Sequence, residues 1–113
     1  MHEASLCNGL MRRALAVAAD HRASAIRRIS VSLGPLCGIT AVDLRAAFDH
    51  CAAGTIAAQA VLEIREAPLI AYCPSCDVEL SVAPNNLSCN RCGAAARLVS
   101  GHELVLEHLD LGL

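Results

Sequence analysis

The sequence predicts an α+β fold in which two helices pack on a small three-stranded antiparallel sheet, with a smaller lobe inserted before the last strand. Apolar residues recur at helical spacing in two segments and alternate with polar residues in three others, and cysteines cluster ahead of the final strand. At 113 residues, with 55% hydrophobic and 18% charged residues, the chain suits one small core with an appendage and is too apolar to be disordered.

Both predicted helices lie in the first half of the chain. The first runs from Ser5 to about Ala19 and has an apolar stripe. The stripe consists of Leu6, Leu10, Ala14, Val17 and Ala18. The second follows Thr40, whose hydroxyl suits an N-cap with Asp43 three residues on, and ends near Gly54. Its predicted buried face consists of Leu44, Ala47, Phe48 and Cys51.

Alternating apolar residues predict strands at 29–33 and 62–65, each followed by a proline-containing turn. The run 103–111 predicts a third strand, although its leucines change parity midway. A β-bulge near Glu107 would return them all to one face. If the first and last strands share a sheet, the residues between 68 and 102 form an insertion at its end.

Four of the seven cysteines form two Cys-x-x-Cys pairs separated by twelve residues. They are Cys73, Cys76, Cys89 and Cys92. This spacing is typical of a zinc ribbon, in which four thiolates close a tetrahedron around one structural zinc ion. Gly93, just after the second pair, permits the positive φ that such a turn often needs. The apolar residues between the pairs are too few for a core, so we expect metal binding to supply the folding energy of this lobe.

Two other interpretations of the cysteine pairs are a redox dithiol and a disulfide. A thioredoxin-like motif would begin a helix, whereas the neighbouring residues here predict short strands. In a reducing cytosol a high cysteine count favours metal ligation over disulfides. The remaining cysteines, Cys7, Cys37 and Cys51, lie in apolar segments and are predicted to be buried.

A formal net charge of −2 and a pI near 6.2 give no electrostatic footprint for nucleic acid or an anionic membrane. The alternative function, a zinc-ribbon interaction or nucleic-acid-binding module, is disfavoured because Arg91 and Arg97 are offset by Asp77 and Glu79 without an aromatic platform. No segment resembles a membrane span or an export signal, so we expect a cytoplasmic protein. No pattern of catalytic residues appears, and we expect no enzymatic activity.

Four further segments distinguish the sequence. They are Met1-His2-Glu3 before the first helix, Gly34 after the first strand, Phe48-Asp49 in the second helix, and Ser100-Gly101-His102-Glu103-Leu104. With the cysteine pairs and the chain length, they resemble the HypA/HybF family of hydrogenase maturation proteins over nearly the whole chain. The resemblance implies a nickel-delivery factor that works with a HypB-type GTPase on the [NiFe] hydrogenase large subunit and, in some organisms, with urease maturation factors. It also suggests that partners bind through the first helix.

The chain start has chemistry suited to nickel. The α-amine of Met1, the backbone nitrogen of His2 and its imidazole can form adjoining chelate rings, and Glu3 adds a carboxylate. Nickel(II) accepts such tetragonal nitrogen and oxygen ligation, whereas zinc in the ribbon is tetrahedral. The resemblance therefore implies one structural zinc and one transferred nickel, with Met1, His2 and Glu3 as the nickel ligands.

One position departs from the family pattern. Thr40 stands where the family often has an acidic residue proposed as a further nickel ligand, so that ligand is left unassigned. The remaining histidines, at 21, 50, 102 and 108, are expected to have surface or capping roles. The predicted organisation is a nickel-binding α+β domain of residues 1–68 and 102–113, and a zinc-ribbon domain of residues 69–101.

Overall fold

A computed structural model describes the backbone of residues 2–113 and the side chains of residues 4–113. Within that range the chain forms two helices and six strands, arranged in two separate three-stranded sheets. In chain order these are α1 (His2–Asp20), β1 (Ala25–Leu33), α2 (Ala41–Ala52), β2 (Val61–Glu66), β3 (Ile70–Cys73), β4 (Val78–Ser81), β5 (Arg97–Ser100) and β6 (Leu104–Gly112). The molecule is elongated, with principal extents of 53 × 27 × 17 Å. Neither helix in this range is both long and apolar enough to cross a membrane.

The first sheet has the strand order β2-β1-β6, and the helices pack against it. The α+β class, the three predicted strands and the pairing of the first strand with the last are confirmed. The expectation of a wholly antiparallel sheet is wrong in one respect, because β1 and β2 are parallel, from Arg28↔Val61 to Leu33↔Glu66. The α2 crossover returns the chain to the end of the sheet where β1 began, so β2 runs in the same direction as β1.

The bulge predicted near Glu107 is confirmed. Ser30 pairs with His108 and Val31 with Leu106, which leaves Glu107 as the extra residue of β6. The leucines on both sides of the bulge consequently pack against the same core. They are Leu104, Leu106, Leu109 and Leu111. A second irregularity, at Arg27 of β1, lies near the other end of the same strand pair.

The hydrophobic core lies between the helices and the first sheet. The predicted stripe of α1 is displaced around the helix, because Cys7 and Met11 are buried whereas Val17 is 38% exposed. The predicted cap of α2 is confirmed, since the Asp43 amide donates to the Thr40 hydroxyl at 3.1 Å. Leu44 and Phe48 are buried as expected, with Ala52. Ala47 is partly buried against the core. Of the three cysteines predicted to be buried, Cys7 is buried, whereas Cys37 and Cys51 are only partly buried.

The second sheet has the strand order β4-β3-β5, and both of its pairs are antiparallel. The chain enters it after β2 and leaves it at β5, immediately before β6. Two backbone hydrogen bonds fix the segment between β5 and β6. The Gly34 amide donates to the Glu103 carbonyl and the Leu36 amide donates to the Gly101 carbonyl, each at 2.9 Å. The end of β1 thus holds the segment through which the chain returns to the first sheet.

Candidate metal centre

The second sheet places the two cysteine pairs beside each other. Cys73 is the last residue of β3, and Cys76 lies in the turn before β4. Cys89 and Cys92 lie in a second turn, ahead of β5. The four Sγ atoms all lie within 4.8 Å of one another, and they form the one cluster of potential metal ligands among the side chains of residues 4–113. The predicted convergence of the two pairs is therefore confirmed.

The spacing of the sulfurs fits a tetrahedral metal ion. The Sγ atoms of Cys73 and Cys92 are 3.6 Å apart, and those of Cys76 and Cys89 are 3.9 Å apart. An ion with metal–sulfur bonds of about 2.3 Å would separate its sulfurs by about 3.8 Å in a regular tetrahedron. Four thiolates fill such a coordination shell, so the donor set and geometry suit a structural ion and leave no position for a substrate.

Each cysteine pair lies in the same kind of turn. The Asp77 amide donates to the Cys73 carbonyl at 2.8 Å, and the Gly93 amide donates to the Cys89 carbonyl at 2.9 Å. In each turn, the residue four positions after the first cysteine of the pair has a positive φ, which is 54° at Asp77 and 77° at Gly93. The role predicted for Gly93 is confirmed. The matching role of Asp77 was missed, because aspartate marks a left-handed turn less clearly than glycine.

Backbone amides point toward the sulfurs. The Cys76 amide donates to the Cys73 Sγ at 3.4 Å, and the Arg91 amide donates to the Cys89 Sγ at 3.3 Å. The Arg91 amide, followed by that of Cys92, lowers the pKa of Cys89 to about 6. By contrast, the hydrogen bond with Cys92, followed by desolvation and the other thiols, raises the pKa of Cys76 to about 12. A bound cation would offset the negative charge of thiolates held this close together.

The lobe around the cysteines has little apolar interior of its own. Its buried residues include Leu69, Ala71, Cys73 and Cys89, and two of these are members of the sulfur cluster. Leu87 is 37% exposed, and Val78 is only partly buried. Bound metal would therefore be a main source of order in this lobe.

Polar contacts lie on the rim of the lobe. The Tyr72 hydroxyl donates to Asp77 at 2.7 Å, and the Arg97 guanidinium lies 5.3 Å from the Tyr72 ring centroid.

The predicted nickel ligands lie at or beyond the edge of the described structure. Met1 lies outside the described residues. The backbones of His2 and Glu3 form the first turn of α1, but their side chains also lie outside what is described.

A hydrogen bond from the Cys51 thiol to the Asn8 side chain, at 3.1 Å, brings the last turn of α2 beside the second turn of α1.

Two other histidines make local contacts of the kind expected for surface residues. The Nδ1 atom of His21 donates to the Val17 carbonyl at 3.0 Å, at the end of α1. The Nε2 atom of His108 donates to the Asp110 carboxylate at 2.7 Å on β6. Thr40, the residue that departs from the family pattern, caps α2 through its side chain.

Comparison with known proteins gives a consistent result over the whole chain. Residues 1–111 match the family model described as "Hydrogenase/urease nickel incorporation, metallochaperone, hypA". The hydrogenase maturation factor HypA of Nitrosospira multiformis is 36% identical over 112 residues, covering 98% of this chain and 97% of the relative. That of Chloroflexus aggregans is 34% identical over 112 residues, covering 97% and 98%. The solution structure of the Ni metallochaperone HypA from Helicobacter pylori has a similar fold, with a TM-score of 0.76 and 22% identity over 99% of this chain and 98% of that one.

Proposed function

The chain belongs to the HypA family of hydrogenase/urease nickel-incorporation metallochaperones, and we propose that it binds Ni(II) through Met1, His2 and Glu3 and delivers it for [NiFe] hydrogenase maturation. The observation that carries this proposal is the extent of the family match, which begins at residue 1 and includes these three residues. The family handles nickel, and the chain start supplies nitrogen donors in adjoining positions.

The backbone at the chain start supports a chelate that includes the His2 nitrogen. The first four amides of an α-helix have no partner within the helix. Since α1 begins at His2, coordination of its amide nitrogen would break no hydrogen bond of the helical ladder. Together with the Met1 amine and the His2 imidazole, that nitrogen offers adjoining chelate rings to a tetragonal ion.

We propose that the four-cysteine site holds zinc. The sulfur spacing and the complete thiolate set suit Zn(II), which would stabilise the turns at Cys73 and Cys89. The proposed organisation follows, with a zinc-ribbon domain of residues 69–101 and a nickel-binding domain of residues 1–68 and 102–113. The two metals would be sorted by donor type, thiolate sulfur in one domain and nitrogen in the other.

The proposed partners are a HypB-type GTPase as the other component of nickel handling and the large subunit of [NiFe] hydrogenase as the recipient. Urease maturation factors are the second class of recipient, because the family description names urease incorporation. We also propose a cytoplasmic location, which is consistent with the maturation role that the family description gives. A pull-down with a HypB-type GTPase tests the first partnership. A GTPase that is not retained by the protein would contradict it.

Calorimetric titration of Ni(II) into the zinc-loaded protein tests the nickel site. We expect binding in the wild type and at least a tenfold loss of affinity in His2→Ala, because the variant lacks the imidazole donor. Adding two glycines before Met1 should have a similar effect, since it places the amine too far from the His2 imidazole for both to lie in adjoining chelate rings around one ion. His102→Ala is the matched control, because this histidine lies in the loop before β6.

The absence of lysine permits a further chemical test. All nine basic residues counted as Lys or Arg are arginines, so the α-amine is the primary amine available to an acylating reagent. Acetylation of the folded protein should therefore modify residue 1 alone and weaken nickel binding. Wild-type affinity in the acetylated protein and in both variants would place the nickel site elsewhere and overturn the proposal.

A further inference from the structure

Two cysteines outside the metal centre face each other across the packed helices. Cys7 lies on α1 with none of its surface exposed, and Cys51 is half-buried on the last turn of α2. Cys51 donates to the side chain of Asn8, the neighbour of Cys7, at 3.1 Å. Cys51 also lies near enough to Cys7 to contribute to the raised pKa of the Cys7 thiol. Cys51 is therefore held against this segment of α1.

We propose that Cys7 and Cys51 are a redox modification site, at which a peroxide converts the two thiols into a disulfide that links α1 to α2. The proposal concerns the helical domain and does not depend on nickel binding. It rests on the proximity of the two thiols and on their unequal exposure, which gives them different roles in the reaction.

The reaction balances in two steps. Cys51, the accessible thiol, attacks hydrogen peroxide, so that its sulfur gains one oxygen to become a sulfenic acid and one water molecule leaves. The Cys7 sulfur then attacks the Cys51 sulfur, the S–S bond forms, the S–O bond breaks, and the hydroxyl departs with the Cys7 proton as a second water. Overall, two thiols are oxidised and one peroxide is reduced to two waters.

The environment of Cys7 assigns it the second step. Burial, followed by its interaction with Cys51, raises the pKa of Cys7 to about 12, so its thiolate is scarce at neutral pH. A buried thiol with this pKa reacts poorly with a dissolved oxidant. It is, however, held against the one sulfur that the oxidant reaches. Formation of the disulfide should consequently be slower than formation of the sulfenic acid. Dimedone should therefore trap the sulfenic acid of Cys51.

Peptide mapping of the zinc-loaded, full-length protein tests the proposal. After treatment with hydrogen peroxide and blocking of free thiols with N-ethylmaleimide, trypsin should release Cys7 within residues 1–12 and Cys51 within residues 46–65, because cleavage follows arginine. The expected product is these two peptides joined with the loss of two hydrogens. Dithiothreitol should separate them.

Three variants make the result specific. Cys51→Ser and Cys7→Ala should abolish the joined peptide, whereas Cys37→Ser, which alters a cysteine in the loop before α2, should retain it. Because Cys7→Ala alters the core, the partly exposed Cys51→Ser is the primary variant. An oxidised wild-type protein that lacks the joined peptide, or links Cys51 to any other cysteine, would overturn the proposal.

A second measurement does not rely on mass spectrometry. A link between the two helices restricts the unfolded chain, so the oxidised protein should unfold at a higher urea concentration than the reduced protein. The difference should disappear in Cys51→Ser and persist in Cys37→Ser. Equal midpoints for the oxidised and reduced wild type would contradict the inference, whatever the nickel affinity of either form.

Discussion

Gly34 packs directly against the backbone of Gly101, where the end of β1 meets the segment leading into β6. A Cβ atom at Gly34 would collide with the Gly101 carbonyl oxygen and would lie 2.9 Å from the Glu103 amide nitrogen. Gly101 has a φ of 110°, a conformation that residues with side chains rarely adopt, and its own added Cβ would lie 2.9 Å from the Leu69 Cα. Two glycines thus permit the close approach that joins the inserted lobe to the first sheet.

Replacing Gly34 should therefore destabilise the protein. In Gly34→Ala the added methyl meets backbone, which cannot move aside as a flexible side chain would, so we expect a loss on the order of 1–3 kcal/mol. Urea unfolding monitored by circular dichroism measures it. Gly9→Ala is the matched control, because an added Cβ there meets nothing within 4 Å and alanine favours the helix. Equal unfolding free energies for Gly34→Ala and the wild type would refute the steric argument.

Loss of one metal-centre thiol should unfold the second sheet selectively. Cys89→Ser removes a sulfur to which the Arg91 amide donates, so we expect loss of stoichiometric zinc and of amide-exchange protection in β3, β4 and β5. Protection in β1 should remain, because its sheet packs on a separate core. Cys37→Ser serves as the cysteine control. Full protection of residues 70–100 in a zinc-free Cys89→Ser protein would show that metal does not order this lobe.

Features that depend on local chemistry could be predicted from the sequence. The parity change between Leu106 and Leu109 required an extra residue, and Glu107 is that residue. The hydroxyl of Thr40 three residues before Asp43 indicated a cap, which is present. The spacing of the cysteines indicated that their sulfurs converge, and the four Sγ atoms do lie together. In each case the arrangement follows from short, recognisable spacings in the sequence.

Features that depend on distant packing could not be obtained in this way. Alternation indicates which face of β2 is buried but not its direction, which follows from the crossover through α2. The periodicity of α1 suits more than one buried face, and packing buried Met11 in place of Val17. The proximity of Cys7 and Cys51 involves residues on different helices, so no spacing rule could have indicated it.

The cap of α2 gives a third prediction. Thr40→Ala removes the hydroxyl that accepts from the Asp43 amide, which should cost about 1 kcal/mol of unfolding free energy. Thr40→Asp should retain most of the stability, because aspartate is also a good N-cap. Urea unfolding of both variants beside the wild type tests this. A Thr40→Asp protein as unstable as Thr40→Ala would contradict it.

The ion pair across the first sheet gives a prediction about acid stability. Arg65 donates to Glu107 at 2.8 Å, and this hydrogen bond lowers the pKa of Glu107. A lowered folded-state pKa means that the stabilisation is present above the unfolded value of about 4.3 and is lost as pH falls through the folded value. Glu107→Gln should thus lower the melting temperature slightly at neutral pH and have no effect in stronger acid. Glu79→Gln, on β4, is the control, and a pH-independent effect of Glu107→Gln would argue against the ion pair.

Nickel affinity should rise with pH, because the proposed donors bind only when unprotonated. The α-amine normally has a pKa of about 7.7–8.0 and histidine one of about 6.5, so both lose protons between about pH 6 and pH 8. From these two groups alone, affinity should increase over this range by on the order of a hundredfold, and release of the His2 amide proton would raise the increase to on the order of ten-thousandfold. Calorimetry in buffers of different ionisation enthalpy measures the affinity and the protons released. Acetylation of the amine should flatten the profile, and a profile unchanged by acetylation would exclude the α-amine as a ligand.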